Sequence, residues 1–367
     1  MKKITKHAKW RSTQLLNAIK RKQLRELRKR EHQEQRRKIK ENRKNTLSKQ
    51  LVTTQLLIAP RVFNIENKIT RGIVLNFLHS LRQSFAQPDI NRIIIDLTDT
   101  DSFVADATLL FHAELSRLKE MRQNTIAIEY KQPINDKASE VLHQIGFYEI
   151  CGRHPHKRSA HKYDDVVHWR VATGSVVNNE ICAPAIEKYE GQLAEPLLEG
   201  LFRGLGEAMT NTKHHAYEDG IRDDGLNYNP GSKSWWMFSQ AKDDHLSVVF
   251  CDLGIGIPRT LPLKKPNLYK RLITLGKAGK DSEYIKIAIK EKLSRTNQPE
   301  RGKGLGDIVQ AITKENSGTV KIISNHGVFI KDRTGTVTRD LKESILGTLI
   351  YWRVPLTNGS DSGKENN

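Results

Sequence analysis

The chain has 367 residues and a net charge of +19, from 61 Lys and Arg against 42 Asp and Glu. This length leaves room for two domains and a tail. Because no run of about 18 apolar residues occurs, and the basic N-terminus lacks the apolar segment of a secretory signal, we expect neither a transmembrane helix nor a membrane partner. Three widely spaced cysteines, Cys151, Cys182 and Cys251, show no metal or disulfide spacing. They favour a reducing, cytoplasmic location.

Residues 1–50 hold most of the charge, with 19 Lys and Arg against 4 Glu, a net of +15. The stretch from Trp10 to Lys49 has no Pro or Gly and is rich in good helix formers, which predicts an exposed basic helix. Such a helix binds the phosphates of nucleic acid without sequence specificity, or an acidic protein partner or second subunit. A solvated extension without a partner fits the same pattern.

Residues 51–150 alternate between strand and helix patterns, which indicates an α/β sheet. The predicted strands are Gln55–Ala59, Arg92–Leu97 and Thr125–Tyr130, and the predicted helices are Ile65–Phe85, Thr108–Met121 and Lys137–Ile145. Pro88 follows the first helix, and Gly146 stands in the C-cap position of the last. This order resembles STAS domains of the anti-anti-sigma type, with Asp96–Thr108 in the place of their switch loop. The resemblance implies a binding or scaffolding module, although Ala107 stands where that family carries its phosphorylated serine. A generic α/β packing domain fits the pattern equally well.

Residues 151–184 are predicted to be a linker with connecting strands. The stretch contains Cys151 and four histidines, at positions 154, 156, 161 and 168. Metal ligands often crowd in this way. The interspersed Gly, Pro, Lys, Arg and Ser are typical of a surface linker, however, and no Cys-x-x-Cys pair is present. We therefore do not assign a metal site here.

The first of three ordered motifs lies on a predicted helix with an apolar stripe from Leu197 to Met209. Glu207 and Asn211 are four residues apart, so they share a helix face. The Asn211 amide oxygen suits Mg²⁺, which takes few protein ligands and binds substrate phosphates. Glu207 is placed to polarise a water or hydroxyl for attack on a γ-phosphate. Taken alone, an ordinary amphipathic helix explains both residues.

The second motif, Asp252-Leu-Gly254-Ile-Gly256-Ile-Pro258, follows the apolar strand Leu246–Cys251. Asp252 is placed to accept a hydrogen bond from an exocyclic amine such as that of adenine. Gly254 and Gly256 allow close backbone approach to a flat base and positive φ angles. A glycine-rich turn after a strand has the same features.

The third motif, Arg301-Gly302-Lys303-Gly304-Leu305-Gly306, is predicted to be a loop that leads into a helix over Asp307–Thr313. Free N–H groups at a helix N-terminus bind anions, and Lys303 adds a positive charge. The segment lacks the Gly-Lys-Ser/Thr ending of a Walker A loop and the acidic partner of a dinucleotide fingerprint.

Together the three motifs resemble the N, G1 and G2 boxes of the GHKL ATPase superfamily, over roughly residues 185–356. The resemblance implies the Bergerat α+β two-layer sandwich, with strands Gly318–Ser324 and Gly347–Pro355 closing the fold. It implies Mg²⁺ at Asn211, general base catalysis by Glu207 and adenine recognition by Asp252. The other nucleotide-binding residues that it implies are His215, Gly254, Gly256, Gly302, Lys303, Gly304, Leu305 and Gly306. Thr212 departs from the usual Ala after the Asn.

About 45 residues, Arg259 to Glu300, separate the second and third motifs and carry one predicted helix, Ser282 to Leu293. They resemble the family's ATP lid, and Gly276 and Gly279 are candidate hinges. A long solvated loop with one helix is the alternative. We expect residues 357–367 to be a disordered tail.

Three functions fit these features. The first is an ATPase that acts as a nucleotide-dependent switch on a protein or nucleic-acid partner, or on a second copy of the chain. The second is a protein kinase that transfers the γ-phosphate to a partner, since the anti-sigma kinases in this superfamily act on STAS proteins. The third is a regulatory ATP binder without turnover. The domain pairing suggests a bacterial origin.

Overall fold

The computed structural model describes residues 53–122, 125–152, 163, 169–218, 222, 224, 233–294, 304–313 and 318–356. For residues 291–294, 304, 305, 307, 308 and 311 only the backbone is described. The predicted basic helix over residues 1–50 and the predicted tail over 357–367 lie outside these ranges. The described residues belong to one compact unit.

The first part of this unit is a parallel sheet with helices. Strands β1, β3 and β5 are hydrogen-bonded in the order β1-β3-β5, and β2 pairs with β4, both in parallel. The strands are β1 (Thr53–Ile58), β2 (Val62–Phe63), β3 (Ile90–Asp96), β4 (Ser102–Phe103) and β5 (Ala127–Lys131). The helices are α1 (Lys68–Ala86), α2 (Ala105–Met121), α3 (Asp136–Gln144) and α4 (Phe147–Cys151). The predicted alternation of strand and helix is confirmed.

Two helix starts differ from the prediction. Helix α1 begins after Asn67, whose side chain accepts hydrogen bonds from the backbone N–H groups of Ile69 and Thr70. An Asn that caps the first turn ends the preceding loop, which the apolar spacing alone does not show. Helix α2 begins at Ala105, three residues before the predicted start, and its first four residues, including Asp106, are buried. Helix α3 ends at Gln144 with Ile145 as its C-cap, and Gly146 follows with a φ of 74°, the left-handed conformation in which glycine commonly ends a helix.

The second part is an antiparallel sheet. Seven strands of the described residues pair in the order β11-β10-β9-β12-β8-β7-β6. They are β6 (Arg170–Gly174), β7 (Trp235–Lys242), β8 (His245–Asp252), β9 (Thr319–Ser324), β10 (Gly327–Asp332), β11 (Gly335–Asp340) and β12 (Thr348–Pro355). In the centre, β8 pairs with β12 so that Asp252 lies opposite Thr348. The carboxyl end of β8 therefore lies beside the start of β12.

One face of this sheet is covered by α5 (Ala183–Ile186), α6 (Glu195–Asn211), α9 (Asp281–Ser294) and α10 (Gly304–Thr313). Helices α7 (Ile257–Lys264) and α8 (Pro266–Thr274) pack against α9. Short 3-10 turns lie at Asn179–Ile181 and Glu187–Tyr189, and a π turn at Thr212–Ala216 extends α6. Trp235, Phe250 and Trp352 of the sheet are buried in the same apolar cluster as Leu201 and Leu205 of α6. This arrangement of one sheet and one helical layer belongs to the expected α+β class.

The opposite face of the sheet is covered by the first part of the unit. Trp236, Phe238 and Val249 share an apolar cluster with α1, α2 and the three-stranded sheet. The ring of His112 in α2 lies 5.7 Å from that of Phe238, and burial lowers the pKa of His112 to about 4. Because both faces are buried, neighbouring residues along β7 and β8 are apolar. The expected two-layer sandwich is thus joined by a third layer.

Candidate functional site

Helix α6 presents Glu207 and Asn211 near its C-terminal end. Its apolar face packs closely on the sheet: a Cβ at Gly204 would lie 3.3 Å from the Trp352 ring. Glu207 and Asn211 lie outside the core and are half-buried. The Asn211 Nδ2 is buried and has no hydrogen-bond partner within the described residues. A buried amide without a partner is uncommon, and this one lies where the sequence predicts a metal and nucleotide ligand.

A π turn, Thr212–Ala216, continues from Asn211. Such turns are rare and frequently occur at functional sites. The Thr212 side chain is buried, and its hydroxyl donates a hydrogen bond to the Ala208 carbonyl at 3.0 Å. The Thr212 hydroxyl is therefore not left as an unpaired polar group in this buried position. His215 lies in the same turn, and its carbonyl is 3.0 Å from the Thr260 hydroxyl.

Asp252 ends β8 with a buried carboxylate. Its Oδ1 accepts a hydrogen bond from the Gly254 N–H at 3.0 Å, and the backbone N–H of Thr348 also donates to the carboxylate. Burial raises the pKa of Asp252 to about 7, and these hydrogen bonds and the charge of Arg222 offset only part of that rise. Such a carboxylate gains from one further donor, which an exocyclic amine would supply.

The loop after Asp252 is held directly against the π turn. The Ile255 N–H donates to the Ala216 carbonyl at 2.8 Å. A Cβ at Gly254 would lie 2.2 Å from that carbonyl oxygen, so only glycine fits. Gly256 has a φ of 80°, and a Cβ there would lie 2.6 Å from the Asn325 Nδ2. The two glycines thus bring the second motif against the end of the helix that carries the first.

The turn between β9 and β10 fixes the same loop from the other side. The Asn325 side chain donates to the Ile255 carbonyl at 2.9 Å and accepts from the Gly347 N–H at 3.2 Å. The Ser324 hydroxyl accepts from the Ile257 N–H at 2.8 Å and lies 3.0 Å from the Thr348 hydroxyl. The sequence interpretation missed Ser324, Asn325 and Thr348. In the sequence they stand out only as polar residues at the ends of apolar strands, Ser324-Asn325 after β9 and Gly347-Thr348 before β12.

The third motif corrects one prediction. Helix α10 begins at Gly304 and not at Asp307, so Gly304, Leu305 and Gly306 form its first turn. The N–H groups of a first helical turn have no intrahelical acceptor, so the helix can begin earlier without losing free donors for an anion. Gly306 is buried, because α10 packs on α6. Gly302 and Lys303 lie outside the described residues, as does the side chain of Leu305.

The predicted lid segment contains three helices, α7, α8 and α9, where the sequence indicated one. The prediction missed α7 and α8 because both are short and have proline near their first turns. Their mutual core is small and consists of Leu261, Leu272, Tyr284 and Ile287. Gly276 and Gly279, with φ of 65° and 99°, connect α8 to α9, where the hinges were predicted.

A buried ionic cluster connects α2 to the loop after Asp252. The Arg222 guanidinium donates to Glu114 Oε1 at 2.7 Å and to the Leu253 carbonyl at 3.2 Å. Arg82 and Arg117 also donate to Glu114, at 3.1 and 2.9 Å, and Asp224 lies 3.1 Å from Arg222. Burial alone would raise the pKa of Glu114, but the three arginine charges hold it well below its usual value. The sequence interpretation gave no role to this cluster.

A second buried pair links α2 to the sheet. The Lys321 ammonium of β9 lies 3.2 Å from Asp106 and 2.6 Å from Glu66, over the ring of Tyr351. Burial raises the pKa of Asp106 despite the nearby Lys321 charge. The adjacent Ala107 is completely buried. Ala107, which the sequence resemblance aligns with the STAS serine, therefore lies inside the apolar cluster that the two parts of the fold share.

The sequence matches no protein-family model and no curated protein. Within the described ranges, no helix is long and apolar enough to cross a membrane, and no group of three or more His, Cys, Asp and Glu side chains is placed to hold a metal ion. The four histidines of the segment after Cys151 lie outside those ranges. Cys151, Cys182 and Cys251 are free thiols in buried positions.

Proposed function

We propose that the chain binds ATP with Mg²⁺ at the corner formed by the end of α6, the loop after β8 and the first turn of α10. The observation that carries the proposal is the contact between the Asp252–Gly256 loop and Ala216. The Ile255 N–H donates to the Ala216 carbonyl at 2.8 Å, and Gly254 packs directly against the same carbonyl. This contact brings the first and second motifs to one place. The packing of α10 on α6 adds the third.

Each proposed role rests on an atom with the required chemistry. The Asp252 carboxylate would accept a hydrogen bond from the exocyclic amine of adenine, and the buried setting makes that bond strong. The free N–H groups of the first turn of α10 would bind the phosphates. The Asn211 amide would take one position on Mg²⁺, and Glu207, one helical turn away, would orient the attacking water.

The favoured activity is hydrolysis that drives a conformational switch, because Glu207 and Asn211 share one half-buried helix face. Closure of α7 and α8 over the triphosphate is the proposed motion, with Gly276 and Gly279 as its hinges, while α9 stays packed on the sheet. Phosphotransfer to a protein is the alternative. Self-transfer at the STAS serine position is disfavoured, since that position is a buried alanine, Ala107.

The test is a time course with γ-labelled ATP and Mg²⁺ on the full chain, compared with Glu207→Gln. We expect free labelled phosphate from the wild type, unchanged ATP binding by the variant, and turnover reduced by about a hundredfold or more. Glu199→Gln is the matched control, because Glu199 lies on the same helix and, within the described part of the chain, pairs only with the exposed Arg203.

Label that stays on the protein or on an added partner would replace hydrolysis by kinase activity. Binding without turnover in the wild type would indicate a regulatory ATP binder. Absence of ATP binding in the presence of Mg²⁺ would refute the proposed site altogether.

A further inference from the structure

The helices α7, α8 and α9 enclose a cleft of about 740 Å³, here called the basic cleft. Six of its lining side chains are cationic and one is anionic, Glu283. The six cationic residues are Lys264, Lys265, Arg271, Lys277, Lys286 and Lys290. The lining contains none of the side chains proposed to bind ATP, although α7 and α8 are also the helices proposed to close over the triphosphate.

The positive charge of the basic cleft does not follow from a high net charge of residues 51–367 as a whole. Residues 51–367 hold 42 Lys and Arg against 38 Asp and Glu, a net of +4. Residues 264–290 alone hold eight Lys and Arg against two acidic residues, a net of +6. The remainder of 51–367 is therefore slightly acidic, and the charge is concentrated on this one helical segment.

Among the residues that the structure describes, three of the six cationic groups have no acidic partner. Lys264 pairs with Glu218 at 2.9 Å, and Lys277 and Lys286 share Glu283 at 3.1 and 3.9 Å. Within the described residues, no ion pair is present at Lys265, Arg271 or Lys290. Like charges that line one concavity repel each other and focus a positive potential into it. An anion with several charges would relieve that repulsion.

We propose that the basic cleft binds a small ligand that carries two or more phosphate groups. The volume falls in the usual range for small-molecule sites, about 300–1,000 Å³. The rest of the lining is uncharged and consists of Pro266, Asn267, Leu268, Leu272, Leu275 and Ile287. Because the lining contains no aromatic side chain, stacked bases of single-stranded nucleic acid are not favoured. Arg271 supplies a guanidinium suited to phosphate.

The experiment is calorimetric titration of the full chain with orthophosphate, inorganic tripolyphosphate and GTP at constant ionic strength, without magnesium. We expect tripolyphosphate to bind at least about tenfold more tightly than orthophosphate, a difference of about 1.4 kcal/mol. GTP distinguishes the two sources of the phosphate group, because Asp252 is not expected to accept the guanine ring. Comparable GTP binding would identify a nucleoside polyphosphate, and its absence a free polyphosphate.

Three variants separate the basic cleft from the nucleotide site. The double change Arg271→Gln with Lys290→Gln should weaken tripolyphosphate binding by about tenfold and leave ATP binding intact. Arg333→Gln with Lys342→Gln removes one Arg and one Lys from exposed positions elsewhere and should have no effect. Asp252→Asn should lose ATP binding and keep tripolyphosphate binding.

An equal loss of tripolyphosphate affinity in the two double variants would show that only the overall charge of the protein matters. That result would refute the basic cleft as a binding site. Tripolyphosphate binding that survives the Arg271 and Lys290 changes and is displaced by ATP would assign that anion to the nucleotide site and refute the basic cleft. Stronger binding of a single-stranded oligonucleotide than of tripolyphosphate, abolished by the Arg271 and Lys290 changes, would replace the small ligand by nucleic acid.

Discussion

Arg222 joins Glu114 of α2 to the backbone of the loop that follows Asp252. One Nη atom lies 2.7 Å from Glu114 Oε1 and the other lies 3.2 Å from the Leu253 carbonyl oxygen. Both side chains are about 1% exposed. The first part of the fold therefore holds one edge of the proposed adenine-binding loop, and a displacement of α2 would reach that loop through a single side chain.

Replacement of Glu114 by Gln should destabilise the protein by about 3 kcal/mol, because it leaves three buried guanidinium groups without their shared carboxylate. Glu120→Gln is the control, since Glu120 lies on the same helix and is exposed. It should change the free energy of unfolding by less than about 0.5 kcal/mol. Urea unfolding monitored by Trp fluorescence measures both.

The pH dependence of this difference has a definite sign. The pKa of Glu114 is lowered in the folded state, so its stabilising effect is present above its ordinary value of 4.5 and is lost as the pH falls below it. The gap between wild type and Glu114→Gln should therefore be full at pH 7 and narrow in acid. A gap that is constant from pH 7 to pH 3 would show that the lost packing, and not the ionic cluster, explains the result.

The predicted strands could be recognised because they are largely apolar runs, as with Arg92–Leu97. Strands β7, β10 and β11 were not predicted, and β11 is polar and largely exposed. The run Trp235–Phe238 in β7 is apolar at every position, as is typical of a strand whose two faces are both buried. The sequence did not indicate which element covers the second face of the seven-stranded sheet. The ionic cluster that fixes it joins Glu114 to Arg222, 108 residues apart, and neither residue lies in a recognisable motif.

The candidate site was predictable in its motifs and not in its supports. Asp252, Gly254 and Gly256 form a recognisable pattern because their spacing within one loop is local. Asn325 and Ser324 hold that loop from a distant turn, and a Ser-Asn pair at a turn is ordinary. The beginning of α10 was predicted too late, because glycine is unfavourable in the interior of a helix. In the first turn this cost matters less, since the N–H groups there have no helical partner in any case.

In the protein without nucleotide, Asp252→Asn should remove the loss of folding stability that ionisation of the buried Asp252 carboxylate causes as the pH rises. Burial raises the pKa of Asp252 from 3.8 to about 7, so the folded state retains a proton that the unfolded state has lost. The free energy of unfolding of the wild type should therefore fall between pH 4 and pH 7 relative to that of the variant, by about 4 kcal/mol in total. Parallel stability curves for the two proteins across this range would contradict the buried carboxylate.

The same titration should appear in nucleotide affinity. An Asp252 carboxylate that accepts a hydrogen bond from an amine must be ionised, so ATP binding by the wild type should weaken as the pH falls below about 7. Binding of an analogue without the exocyclic amine should be weaker and should lack this dependence. Fluorescence competition at several pH values, with buffers of equal ionic strength, measures both.

Asn211→Ala should weaken ATP binding in the presence of Mg²⁺ by about tenfold, because a metal ligand is removed. Binding measured in EDTA should change by less than twofold, since the adenine and phosphate contacts remain. Glu199→Ala on an exposed position of the same helix controls for general effects on α6. An equal loss with and without Mg²⁺ would indicate that the Asn211 amide contacts the nucleotide itself.

Gly254→Ala tests the contact on which the proposed site depends. The added methyl group would lie 2.2 Å from the Ala216 carbonyl oxygen, a backbone atom, so the loop must move away from the π turn. We expect a loss of stability of about 2 kcal/mol and loss of ATP binding. Gly72→Ala in α1 is the matched control, because the nearest atom to its Cβ would be 3.9 Å away and the helix should gain about 1 kcal/mol. If Gly254→Ala binds ATP as the wild type does, the loop can leave Ala216 without consequence, and the proposed corner is not the nucleotide site.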